Sequence, residues 1–229
     1  MDATTVAKFL SCPLYIASAG LGLVSEDENV PAYDATVAEV DSPLSALLAR
    51  MKKGPADWWL ALVTEWGPQR SIRGVLRQHK DALVLLALPS TYLSLVSKEL
   101  DSLSNDEVSR LRIFTSTRGA SVLSNSVRSS VLPYDERLEG SEYRGTRTDF
   151  PQRALRHFVE VLSGHALSLQ QAKVRVADTM QSLQKPAAPA RDRRSDEEIR
   201  TLVRENWERF GGSSTRLLRY LRDDALVSC

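Results

Sequence analysis

The chain has 229 residues, 42% of them hydrophobic, with 30 Lys+Arg against 29 Asp+Glu for a net charge of +1. That length carries one medium domain, or a domain with a small appendage, and buries a core without cross-links. The charge balance excludes a globally basic nucleic-acid coat and an acidic tail protein. Cys12 and Cys229, near opposite ends, exclude a disulfide scaffold and point to a reducing compartment.

No apolar run approaches the ~20 residues of a membrane span. Residues 1–14 lack a basic segment followed by a long apolar one, so no signal peptide is predicted. The expectation is a cytoplasmic protein without a membrane partner. Of the 30 basic residues 23 are arginine, the side chain suited to bidentate contacts with phosphate or carboxylate. A GC-rich genome would supply the same bias.

Three continuous apolar runs read as strands buried on both faces, as in a parallel sheet: Leu14–Ala17, Ala82–Leu88 and Leu111–Thr115. Each ends in small or turn-forming residues, where α/β proteins place their sites. Helices are predicted between and after them. Ser42–Met51 has Pro43 in its first turn and Leu44, Leu47 and Leu48 at helical spacing. Asp57–Trp66 leans to helix, Ser71–His79 is a short helix or turn, and Thr91–Leu100 is amphipathic. Asn105–Arg110 is a short polar helix or turn. Phe150–Leu162 carries the stripe Leu155, Phe158, Val159 and Leu162, and Leu167–Gln184 starts at Ser168. This order indicates an α/β fold with a three-layer, mostly parallel sheet over residues 1–183. Residues 184–194, with two prolines and then a charged cluster, read as a linker. Residues 195–229 form a small helical module. Ser195 and Glu198 make a capping box, Gly211-Gly212 ends the first helix, and Ser213, Ser214 or Thr215 caps the second.

The first constellation is Ser18 to Asp34, where a strand enters a glycine-containing turn followed by an acidic stretch. Gly20 and Gly22 lack the third glycine of a dinucleotide fingerprint, and no Gly-Lys-Ser/Thr of a phosphate loop follows. Ser18, Ala19, Gly22, Leu23, Val24, Pro31, Tyr33 and Asp34 nevertheless form a pattern. It resembles the YaaA-like proteins and the amidotransferase-like domain of archaeosine synthase, found in bacterial and phage DNA-modification settings. The resemblance covers about residues 10–165. It implies a nucleic-acid context, base modification or defence. In that reading Asp34 and Glu26 are acid/base groups, and Ser18, Gly20, Gly22 and Tyr33 shape a ligand pocket.

The second constellation follows the third strand. Thr115, Ser116 and Arg118 offer hydroxyls and a guanidinium suited to phosphate or carboxylate. If the loops after strands one and three converge, they share a cleft with Asp34. Thr148 or Asp149 is the expected cap of the helix from Phe150. No Gly-x-Ser-x-Gly is present. His79, His157 and His165 lack partners at metal spacing, so no metal site is predicted, and the sequence leaves the cofactor unknown. Cys12 reads as a small buried apolar residue.

The third constellation is the C-terminal pair of helices, which resembles the helical part of a winged helix-turn-helix. Leu217, Leu218 and Leu221 are its expected buried side. Ser214, Thr215, Arg216, Arg219 and Arg222 are its expected DNA contacts, reaching phosphates or guanine edges. The leading expectation is a nucleic-acid-associated protein acting in nucleobase or DNA modification or defence. The alternatives are a non-enzymatic DNA-binding or adaptor protein, whose C-terminal helices contact protein, and a nucleotide-sensing regulator.

Overall fold

The chain divides into two units, Met1–Lys185 and Pro186–Cys229, in a computed structural model that describes residues 2–32, 35–36, 42–185, 187 and 191–228. The first unit opens with helix α1 (Asp2–Leu10) and the strands β1 (Tyr15–Ser18) and β2 (Gly22–Ser25). Helices α2 (Pro43–Arg50), α3 (Pro55–Trp66) and α4 (Ile72–Gln78) lead to β3 (Val84–Ala87). Next come α5 (Ser90–Asp101), α6 (Asn105–Ser109) and β4 (Leu111–Phe114). The short α7 (Thr117–Ser121) and α8 (Asn125–Arg128) precede the longer α9 (Phe150–Glu160) and α10 (Leu169–Ser182). The second unit holds α11 (Asp196–Asn206) and α12 (Ser214–Arg219), the latter running on into a π-helical turn, Tyr220–Asp224.

Serines start most of these helices, because a hydroxyl can accept an N–H that the first turn leaves unpaired. Ser42, Ser71, Ser104, Ser116, Ser168 and Ser195 all do so. Pro43 sits in the first turn of α2, and Ser195 with Glu198 closes the expected capping box. Asp149 precedes α9 but makes no side-chain cap; its carboxylate pairs with Arg153 instead.

The fold is mixed helix and strand. β3 and β4 pair in parallel, Val84 opposite Leu111 and Ala87 opposite Phe114. On its far side β4 makes a parallel bridge from Ile113 to Val131. The first apolar run departs from the parallel expectation. β1 turns back on itself and pairs antiparallel with β2, Tyr15 opposite Ser25 and Ser18 opposite Gly22. The sequence reading missed β2 because its glycines read as the start of a loop, whereas Gly22 begins a strand.

Strand alternation divides the core in two. Val84, Leu86, Leu111 and Ile113 join Trp59, Ile72, Leu76, Leu93 and Leu100 in one cluster. Leu85, Ala87 and Phe114 join Val6, Leu155, Phe158, Val159 and Val176 in the other. The predicted stripe of α9 is therefore buried as expected, with Phe114 and Phe158 in edge contact at 5.2 Å. Arg112 shares the Phe114 face of β4. It is buried, and its Nη1 donates to the carbonyls of Ser109 and Leu111. Desolvation lowers its pKa.

A buried carboxylate joins three helices of the first cluster. Glu99 on α5 is 4% exposed. Its Oε2 accepts the Trp59 indole N–H of α3 at 2.6 Å, and its Oε1 accepts the Arg73 backbone N–H of α4 at 2.8 Å. Removing the acceptor strands two donors, each costing about 1–3 kcal/mol when buried unpaired. Glu99→Ala is therefore expected to lose about 3 kcal/mol in urea unfolding, and Glu99→Gln, which keeps one carbonyl acceptor, clearly less. Equal losses would show that packing volume, not the two hydrogen bonds, is what Glu99 supplies.

Candidate functional site

In the first constellation the polar groups serve a hairpin. Ser18 is buried, and its Oγ accepts the N–H groups of Gly20 at 3.2 Å and Leu21 at 3.0 Å. Gly22 adopts φ +75°, and a Cβ there would lie 2.7 Å from the Arg70 carbonyl oxygen. Glycine is required at this point by both the backbone and the close approach. The turn is clamped from outside. The Trp58 indole donates to the Ala19 carbonyl at 2.7 Å, and the Arg70 guanidinium grips the Glu28 carboxylate and the Leu23 carbonyl. Glu26 is exposed, with its N–H donated to the Leu14 carbonyl. Tyr33 and Asp34 lie outside the described residues.

In the second constellation, two of the three side chains support the strand-to-helix turn. The Ser116 hydroxyl accepts the Gly119 N–H at 3.2 Å and caps α7. Thr115 is buried, and its Oγ1 has no hydrogen-bond partner. It occupies the space beside Gly119, where a Cβ would fall 1.9 Å from that oxygen. Arg118 is exposed. The β1–β2 hairpin packs on α3 and the turn at 68–70, whereas α7 packs on α5.

The sequence reading passed over a polar layer on α9. His157 is buried, with Nδ1 2.8 Å from the Tyr134 hydroxyl and its ring edge-on to Tyr134 and Tyr143. Tyr143 donates to Glu160 at 2.9 Å. Arg156 pairs with Glu160 at 2.9 Å and Asp2 at 3.2 Å, and its guanidinium stacks over the Tyr143 ring. The buried Arg153 pairs with Asp149 at 2.6 Å and Glu139 at 2.8 Å, and donates to the carbonyls of Tyr143 and Thr146. A cavity of about 230 Å³ lies among Asp2, Glu142, Tyr143, Arg144, Arg153 and Arg156. Its two inner guanidiniums are matched by carboxylates, so they clasp the 139–149 segment to α9 and α1. The Pro133-Tyr134-Asp135 and Arg144–Asp149 segments were the available signal, but which side chains meet depends on packing. Among the described residues no group of three His, Cys, Asp or Glu is placed to hold a metal.

The second unit closes on itself. Asp192 pairs with Val227 through an isolated parallel bridge, so this end of the expected linker belongs to the helical module. Gly211 and Gly212 take φ +58° and +66° between α11 and α12. The Phe210 and Tyr220 rings stack at 5.2 Å, and Asn206 reaches the Tyr220 hydroxyl at 3.3 Å. Leu217, Leu221 and Val227 are buried, but Leu218 is 58% exposed, contrary to expectation. Residues four apart share a helix face, and Leu218 is turned about 100° from Leu217. Ser214, Thr215, Arg216, Arg219 and Arg222 are all exposed. Arg222 is bound by Asp223 at 2.8 and 3.0 Å. Arg216 and Arg219 form no ion pair among the described residues.

No family model, curated protein or solved structure matches the chain.

Burial lowers the His157 pKa below its ordinary 6.5, so the folded state holds the imidazole neutral. As pH falls through about 6.5 the unfolded chain binds a proton there first, and stability drops until the folded pKa is passed. The carboxylates held low by partners, Glu107, Asp135 and Glu160 among them, lose stability in a lower window. Unfolding free energies between pH 7.5 and 5.5 should therefore fall for the native chain. They should fall less for His157→Gln, even though that variant starts less stable. Identical slopes would mean that His157 is protonated without cost in the fold.

Proposed function

We propose that the protein associates with nucleic acid, and that α12 of the C-terminal unit supplies the contact with duplex DNA. The observation that carries this reading is the pair Arg216 and Arg219, both exposed and neither in an ion pair within 4 Å among the described residues, although Arg219 lies close enough to Asp223 to help lower its pKa. They stand one turn apart on a helix whose Leu217 and Leu221 face inward. Guanidiniums in that arrangement suit phosphate oxygens and guanine edges. Ser214 and Thr215 add exposed hydroxyls beside them, while Arg222 is engaged by Asp223 and contributes less.

The resemblance of the Ser18–Asp34 segment to the YaaA-like and archaeosine-synthase-related domains supports the same context. It gives DNA modification or defence as the setting, while the cytoplasm as the location is the reading of the composition and cysteine content. The alternation of strands and helices favours reading the β3–β4 pair, with apolar clusters on both faces, as the centre of a three-layer α/β domain. No helix among the described residues is long and apolar enough to cross a membrane.

Duplex DNA binding, followed by anisotropy across a salt series, tests the proposal. Each phosphate contact contributes about 0.9 to the log–log salt slope. Arg216→Ala with Arg219→Ala is expected to flatten the slope by about 1.8 and to weaken binding at low salt. Arg222→Ala should change it by less than half as much. A double variant that binds like the native chain, or no binding by the native chain at low salt, would overturn the proposal and leave the module as a protein-contact element.

A further inference from the structure

A cavity of the first unit, about 360 Å³, has a wall made of five consecutive residues, Ala82–Leu86. Successive strand residues point to opposite faces. Here Val84 and Leu86 belong to one apolar cluster and Leu85 to the other. The cavity also meets helices from both sides: Val6 and Leu10 of α1, and Ile72 and Val75 of α4. A space that touches both faces of a strand along its length lies beside the strand, in the plane of the sheet. β4 occupies the opposite edge. Across from β3 the wall is Leu14 and Leu23, at the hairpin.

The backbone says what that edge lacks. The N–H groups of Val84 and Leu88 are donated to the Arg110 and Phe114 carbonyls, on the β4 side. By alternation, the N–H and C=O of Leu83, Leu85 and Ala87 face the cavity side. No strand among the described residues pairs with that edge. A small apolar molecule can fill the volume, but it does not meet donors and acceptors repeated along a strand. Another extended backbone does. The lining contains no Asp, Glu, Lys or Arg, so a charged occupant would be buried without a counter-ion. Because both clusters border the space, side chains on both faces of the occupant meet mainly apolar surroundings, with the paired Tyr15 and His79 and the ring of His165 as polar groups of the lining. That requires a continuous apolar run rather than an alternating one.

We propose that this cavity is the slot for one added β-strand, an uncharged and continuously apolar segment of a partner polypeptide that pairs with the outer edge of β3. The row Leu83–Leu86 is roughly 10 Å long, enough for a strand of about four residues to pair along it.

The test uses the full chain, labelled with ¹⁵N, and a synthetic peptide, acetyl-Lys-Val-Val-Leu-Ile-Val-Lys-amide. A second peptide of the same sequence carries N-methyl groups on its five central amides and so cannot donate. The first is expected to shift the Leu83 and Leu85 amide resonances saturably and to slow their hydrogen exchange. The second should bind at least about tenfold more weakly, the loss expected when backbone hydrogen bonds go unmade. Equal binding of the two peptides would overturn strand pairing in favour of simple apolar filling. An absence of saturable shifts would overturn the slot itself. Protection of the Leu83 and Leu85 amides without peptide, together with a dimer in sedimentation, would assign the edge to a second copy of the chain and overturn the partner strand.

Discussion

The parallel ladder between β3 and β4 is apolar on both faces, and the first unit is arranged to cover both. Val84, Leu86, Leu111 and Ile113 need one layer of neighbours; Leu85, Ala87 and Phe114 need another. A strand pair with two such faces cannot sit at a surface, because each face exposed to water would forfeit its burial. Helices α3, α4 and α5 answer one face, and α1, α9 and α10 the other. Most polar groups that enter this core come with partners, while the Thr115 hydroxyl and the Arg112 Nε have none among the described residues. Glu99 accepts an indole N–H and a helix N–H, and Arg112 lies against carbonyls. The outer edge of β3 is where the ladder stops being answered by the described chain.

Arginine has two kinds of employment in this molecule, which composition cannot separate. In the first unit several guanidiniums complete the fold. Arg110 holds the Leu76 and His79 carbonyls, Arg128 holds those of Ala120 and Leu123, and Arg153 ties α9 to the preceding loop. Each replaces water around a backbone oxygen that a turn leaves without a donor. On α12 the same side chain stands at Arg216 and Arg219 with no such duty. The functional reading rests on the placement of that pair one turn apart on a short helix, not on the number of arginines.

The Ser18–Gly22 turn makes the reverse point. A serine hydroxyl and two glycines after a strand have the residue types of a ligand loop, and the same types of a tight hairpin. The Ser18 hydroxyl meets the Gly20 and Leu21 amides, and Gly22 fits against Arg70 from 48 positions away. A local pattern cannot foresee that neighbour.

Helix starts were legible in the sequence because a cap is local: Ser42 with Pro43, Ser168, and Ser195 with Glu198 bond to N–H groups three residues on. The stripe of α9 and the two strands at 84–87 and 111–114 were legible for the same reason, since periodicity and continuous apolar runs report how many faces are buried. The pairing of β1 was not, because a strand's composition records that it is covered and not which edge it joins. The exposure of Leu218, the meeting of Tyr134 with His157, and the Glu99 carboxylate beneath Trp59 were likewise settled by tertiary packing. So sequence alone determined where the longer helices and the two parallel strands form and which of their residues seek burial, but not β2 or the exposure of Leu218. The tertiary structure decided which of them meet, because hydrogen bonds and ion pairs between distant residues depend on positions in space that short-range propensity does not encode.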